Sequence, residues 1–108
     1  MSTALPKLVA DYFAAENRED TEALLQCFID HALVQDEGRT IEGGAAIKQW
    51  MVDAKKKYQH TVEPIGTVER DGKTGVIARV YGNFPNSPVN LEHIFAFEGD
   101  KIASLEIR

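Results

Sequence analysis

The sequence predicts an α+β domain in which helices cover one face of an antiparallel sheet, and three observations predict it. Apolar residues in the first half recur at helical spacings of three and four. The second half alternates with period two and is cut by Asp-Gly, Pro-rich and Gly-Asp turns. The 108 residues suffice for one hydrophobic core and are too few for two, so residues 1–108 are expected to form a single domain.

Leu5, Leu8, Val9, Tyr12 and Phe13 form one apolar stripe on a first helix, with Pro6 in its first turn. Asn17 to Asp20 is polar and ends it. Asp20 caps a second helix whose buried side carries Leu24, Leu25, Phe28 and Ile29. Ala32 to Gln35 reads as a short strand, Asp36-Glu37-Gly38 as a turn, and Arg39 to Glu42 as a second short extended piece. After the Gly43-Gly44 break a third helix runs from about Ala45 to Tyr58, with Ile47, Trp50, Met51 and Ala54 on one face. Thr61 to Arg70 is a strand in which Pro64 marks an edge or a bulge. Asp71-Gly72 makes a hairpin to Thr74–Phe84. Pro85-Asn86-Ser87-Pro88 forces a loop before the strand Val89–Phe97, and Glu98-Gly99-Asp100 turns into a last strand from Lys101 to Ile107. The long strands carry apolar residues on both parities. One face packs on the helices, and the other predicts a homodimer.

Composition narrows the function classes. Hydrophobic residues at 44% and charged residues at 27% are those of an ordinary globular protein. No stretch is long or apolar enough to cross a bilayer, so no membrane partner is expected. The start, MSTALPKLVADYFAAENRED, lacks a basic segment followed by an apolar run, which predicts a cytoplasmic location. The formal charge of -5 argues against a nucleic-acid partner. The one basic run, Lys55-Lys56-Lys57, meets the negative end of the third helix dipole. The single cysteine, Cys27, lies among apolar residues and reads as a small buried hydrophobe.

Three polar residues stand in apolar surroundings. Tyr12 lies on the buried stripe of the first helix, where its phenol needs a partner or an outlet to solvent. Asp36 follows the first short strand and is either a general base or an Asx-turn residue. His93 shares a strand face with Leu91, Phe95 and Phe97, while Glu92 shares the other with Ile94 and Ala96. That histidine reads as a satisfied structural group or as a site residue. Gly43-Gly44 before a helix has no Lys-Ser/Thr after it, so it is no phosphate loop. His31, His60 and His93 match no short metal motif, and no Gly-x-Ser-x-Gly element is present. No metal and no cofactor are expected.

Three segments carry a family resemblance. Tyr12 through Asp20 and Phe28 through Asp36 resemble the start of ketosteroid-isomerase-like members of the NTF2-like (SnoaL-like) superfamily. Ile41-Glu-Gly-Gly-Ala-Ala-Ile-Lys-Gln-Trp50 is similar to that family's entry to its third helix, and His93 through Ile102 to its penultimate hairpin. The resemblance implies a cone-like fold, three N-terminal helices packed on a curved antiparallel sheet, around an apolar pocket. It carries Tyr12 over as an oxyanion donor and Asp36 as the residue that moves a proton, with matching spacing. The second donor falls on Glu92 or His93 according to the alignment chosen, and strand alternation favours His93. The chain departs from the isomerases at Glu37, where they have proline, and in a shorter loop to the third helix.

The pocket walls are expected from Phe13, Phe28, Val34, Trp50 and Phe95. The expected function is a small-molecule-pocket protein, a cofactor-independent isomerase, dehydratase or cyclase acting on a small apolar carbonyl compound by proton abstraction. The alternative is a non-catalytic ligand-binding or dimerisation module with the same cavity, since this superfamily hosts both.

Overall fold

A computed structural model describes residues 5–108; the first four residues of the stretch read above for a leader lie outside them. The elements follow in the order α1 (Lys7–Asn17), α2 (Thr21–Gln26), β1 (Phe28–Asp36), β2 (Arg39–Glu42), α3 (Gly44–Tyr58), β3 (Thr61–Arg70), β4 (Lys73–Tyr81), β5 (Val89–Glu98) and β6 (Lys101–Ile107). The strands form one sheet in the order β2-β1-β6-β5-β4-β3. It is curved and unclosed, with β2 and β3 at its edges. No helix among the described residues is long and apolar enough to cross a membrane.

The helices form where the stripes predict them. Pro6 stands at the N-cap of α1, which buries Val9, Tyr12, Phe13 and Ala15. The Asp20 carboxylate accepts from the Ala23 amide at 3.1 Å and so caps α2. α2 ends at Gln26, however, and Phe28 and Ile29 belong to β1 rather than to the helix. The reason lies at the other end of the chain. Phe28 pairs with Ile102 of β6, and the Ile102 amide donates to the Cys27 carbonyl at 2.7 Å. Pairing with β6 overrides the local helical period. The β1–β6 pair is parallel, whereas every other pair in the sheet is antiparallel. The sheet is therefore mixed rather than wholly antiparallel.

Register shifts in β1 between Phe28 and Leu33, in β3 between Pro64 and Gly66, and in β6 between Ile102 and Ser104, opposite Phe97 and Ala96, bend the sheet. Pro64 thus marks both a bulge and an edge strand, because among the described residues no strand pairs with the outer side of β3. β4 stops at Tyr81, short of Phe84. Gly82 lies against the end of α3, where a Cβ would come within 2.6 Å of the Tyr58 carbonyl oxygen, and the Asn83 amide donates to that oxygen at 2.7 Å. The end of the predicted strand is spent closing a helix terminus.

The core is aromatic at its centre. The Tyr12 ring meets Phe13, Phe28 and Phe95 edge-on at 5.2, 5.8 and 5.6 Å. Above this layer α3 crosses β1 and β2, and Trp50 and Met51 turn inward. The space between α3 and strands β4 and β5 is left as a cavity.

Candidate functional site

The cavity has a volume of about 400 Å³, within the range of small-molecule sites. α3 contributes Trp50, Met51, Ala54 and Tyr58 to its wall, and the sheet contributes Val62, Val80, Val89, Leu91 and His93. Into this apolar lining come Asp36 from the end of β1, Glu16 from α1 and His60 from the residue before β3.

Asp36 owes its position to a two-residue turn. Glu37 and Gly38 both take positive φ, 52° and 75°, and Asp36 pairs with Arg39 across the hairpin. The Asp36 carboxylate accepts from Trp50 Nε1–H at 2.9 Å rather than from the turn amides. It is half-buried. Burial pushes its pKa above the ordinary carboxylate range, the Trp50 donor pulls it back, and the neighbouring Glu37 charge pushes it up again.

His93 projects from β5 into the cavity, its ring braced by Phe13 at 5.3 Å and by Phe95. Burial lowers its pKa, with the Glu16 carboxylate acting against that shift, so it is a neutral imidazole near pH 7. Glu92 faces away and binds Arg70 with both carboxylate oxygens, at 2.6 and 3.0 Å.

Tyr12 is fully buried and does not line the cavity. Its hydroxyl is closed off from solvent and lies beside the Glu16 carboxylate. Burial raises its pKa well above the ordinary phenol value, and the Glu16 and Asp36 charges add to this, so the phenol keeps its proton. Of the five expected wall residues only Trp50 lines the cavity. Phe13, Phe28, Val34 and Phe95 are buried beneath it, because they close the core between α1 and the sheet before the cavity begins.

Glu16 and His60 were not singled out in the sequence. His60 Nε2–H donates to Glu16 Oε2 at 2.7 Å, and both side chains are buried. Asn17 ties the same two elements together, donating from Nδ2 to the Val62 carbonyl at 2.8 Å and accepting from the Val62 amide at 2.9 Å. Lys55 joins this cluster. Its ammonium donates to the His60 carbonyl at 2.5 Å, so the first lysine of the basic run is buried while the next two stay exposed.

The SnoaL-like domain family model matches residues 9–105. The chain belongs to the SnoaL-like domain family. A structure from Sinorhizobium meliloti, described provisionally as a polyketide cyclase, is 41% identical over 96% of this chain and 95% of that one, with a TM-score of 0.92. The epoxide hydrolase/cyclase-like enzyme SalBIII, of pyran ring formation in salinomycin, is 25% identical over 94% and 86%, with a TM-score of 0.78. A ketosteroid-isomerase-like fold from Catenulispora acidiphila, in complex with trimethylamine, shares the fold at 18% identity over 97% and 86%, with a TM-score of 0.83. No curated protein sequence matches the chain. The family and the α+β fold expected from the resemblance are therefore those observed.

Within this SnoaL-like chain one signal pointed to the missed acid. Glu16 follows Tyr12 by four residues and Phe13 by three, so it continues the buried stripe of α1. A carboxylate on such a stripe needs a buried partner, and His60 supplies it. Cys27, the C-cap of α2, is a buried thiol whose pKa burial pushes up, which suits a core residue and not a nucleophile.

Proposed function

We propose that this SnoaL-like protein binds a small, largely apolar carbonyl compound and moves a proton on the carbon next to the carbonyl. The observation that carries the reading is the meeting, in one apolar cavity, of a half-buried carboxylate with raised pKa and a buried neutral imidazole. Asp36 is the base. Its carboxylate takes the proton from the α-carbon, and the C–H electron pair moves into the enolate. The developing charge on oxygen is met by an N–H of neutral His93. The protonated Asp36 then returns the proton to carbon, or passes it to a leaving oxygen in a dehydration or ring closure. The Trp50 donor aims the carboxylate and moderates the rise in its pKa, leaving it a stronger base than a free aspartate. Tyr12, expected as the second donor, is buried behind the cavity wall and takes no part in these steps. Each step uses only side chains of the chain itself.

The description of SalBIII as an epoxide hydrolase/cyclase-like enzyme, and the provisional description of the Sinorhizobium protein as a polyketide cyclase, support an isomerase, dehydratase or cyclase class for this chain. The burial of the Tyr12 hydroxyl behind the cavity wall favours a second reading, a ligand-binding module with the same pocket and no turnover. Exchange of the α-protons of benzylacetone in deuterated buffer, followed by proton NMR, separates the two. The enzyme reading expects protein-dependent exchange that Asp36→Asn abolishes, and the binding-module reading expects none. We also propose a homodimer through the outer sheet face.

A further inference from the structure

The lining of the cavity passes from buried residues, Met51, Val62 and Val80, to Glu37, Tyr58 and Phe84, which keep surface open to water and mark its rim. The proton transfer above uses none of these rim residues. Glu37 is nevertheless held in place. The Tyr58 hydroxyl donates to its Oε1 at 3.2 Å, and its backbone is fixed at a φ of 52° in the turn after Asp36. Tyr58 is itself anchored, its ring meeting Phe84 edge-on at 5.8 Å and its carbonyl accepting from the Asn83 amide at 2.7 Å. A carboxylate tethered in this way stands beside the opening instead of trailing into solvent.

The charges on this lining are lopsided. Among the described residues they are the carboxylates of Glu16, Asp36 and Glu37 against one guanidinium, Arg108. Glu16 is paired with His60, and Arg108 is exposed with its Nε 3.7 Å from Glu106. Arg39 and Lys57, two further cations near the turn, are exposed and do not line the cavity. The charge of Glu37 is felt at the base. Burial is the main cause of the raised Asp36 pKa, the Trp50 donor opposes it, and Glu37 adds to it.

We infer that Glu37 is a specificity-determining residue, a rim charge that bars carbonyl compounds bearing an anionic group and admits neutral ones. This rests on the reading of the cavity as a carbonyl site. With the carbonyl at Asp36 and His93, a charged substituent stays near the rim, because burying an ion against Met51, Val80, Val89 and Leu91 costs its hydration. There an anion meets two adjacent carboxylates, Asp36 and Glu37. Like charges repel, and an apolar cavity screens them less than bulk water does. The substrate class becomes a free ketone without an acid group.

The probes are para-carboxybenzylacetone and its carboxamide, which share a shape and differ in charge, with dissociation constants measured by calorimetry at neutral pH and low salt. The carboxamide is expected to bind the native protein at least about ten-fold tighter than the carboxylate. Raising the salt to about 0.5 M should shrink that ratio. Glu37→Gln should cut it by about three-fold or more. Glu98→Gln makes the same change in net charge at the end of β5, off the cavity lining, and should leave it unchanged. The cut should persist when Glu37→Gln is added to Asp36→Asn, which separates the rim charge from the base. Equal affinities for the two probes in the native protein overturn the inference without any variant, so it stays testable if Glu37→Gln fails to fold. Tighter binding of the carboxylate overturns it too, since Arg108 then governs the rim. So does an unchanged ratio in Glu37→Gln, or an equal cut in Glu98→Gln, which net charge alone explains. Absence of proton exchange with a Glu37-dependent ratio intact removes the base reading and leaves the charge selection standing. Proton exchange with equal affinities does the reverse.

Discussion

Asp36 carries a carboxylate under opposing influences, with burial disfavouring its charge and the Trp50 N–H favouring it. Two expectations follow from the sign of each. If Asp36 is the base as proposed, activity needs the ionised form, so its acid limb should fall with an apparent pKa above that of a free aspartate. Trp50→Phe removes a donor to the charged form and should move that limb to still higher pH, read from the pH profile of kcat/KM. Stability runs the other way. The folded protein holds the Asp36 proton more tightly than the unfolded chain does, so stability falls as pH rises from the ordinary aspartate pKa through the raised one. Asp36→Asn should therefore match the native Tm at acid pH and exceed it at neutral pH, in thermal melts across that range. Tyr12→Phe should cost less than about ten-fold in turnover, because its hydroxyl stands behind the cavity wall and the His93 donor remains. Of these groups Asp36 and His93 were legible in the sequence, one as a carboxylate at a strand end before a turn, the other by strand parity. Glu16 was not, because an acid near a helix end usually faces water, and the residue that buries it lies 44 positions away.

At the scale of elements, the join between α1 and β3 is made by polar contacts rather than by apolar packing alone. Asn17 saturates both the amide and the carbonyl of Val62. Asn17→Ala should destabilise the fold by about 1–3 kcal/mol by leaving buried backbone groups unpaired, measured by denaturant midpoints. The helices and the hairpins at Asp36-Glu37-Gly38-Arg39 and Asp71-Gly72 were legible because their signals are local: stripes, a capping aspartate and turn residues. The two boundaries that moved depend on distant partners. Phe28 and Ile29 continue the helical stripe of α2 but are claimed by β6, and the segment after Tyr81 continues an alternating strand but is claimed by the end of α3. The parallel β1–β6 pair is illegible for the same reason, since it joins the first strand to the last.

For the molecule as a whole, the division of labour between the sheet faces governs the reading. The inner face closes the aromatic core and then the cavity, while the outer face carries Ile77 and Ile94 beside the Arg70–Glu92 ion pair. The expected pocket residues Phe13, Phe28, Val34 and Phe95 failed as wall residues because periodicity marks what is buried without separating core from cavity lining. If the outer face pairs two copies, sedimentation should give a dimer at micromolar concentration burying roughly 1,000 Å² or more; monomer alone at that concentration would remove the proposal. The central claim is that the cavity moves a proton beside a carbonyl with Asp36 as base, and proton NMR of a ketone in deuterated buffer tests it most directly. The account predicts loss of the α-proton signal with the native protein, and a rate lower by orders of magnitude with Asp36→Asn at unchanged ketone affinity. Exchange at equal rates in the two proteins, or none in either, would contradict it.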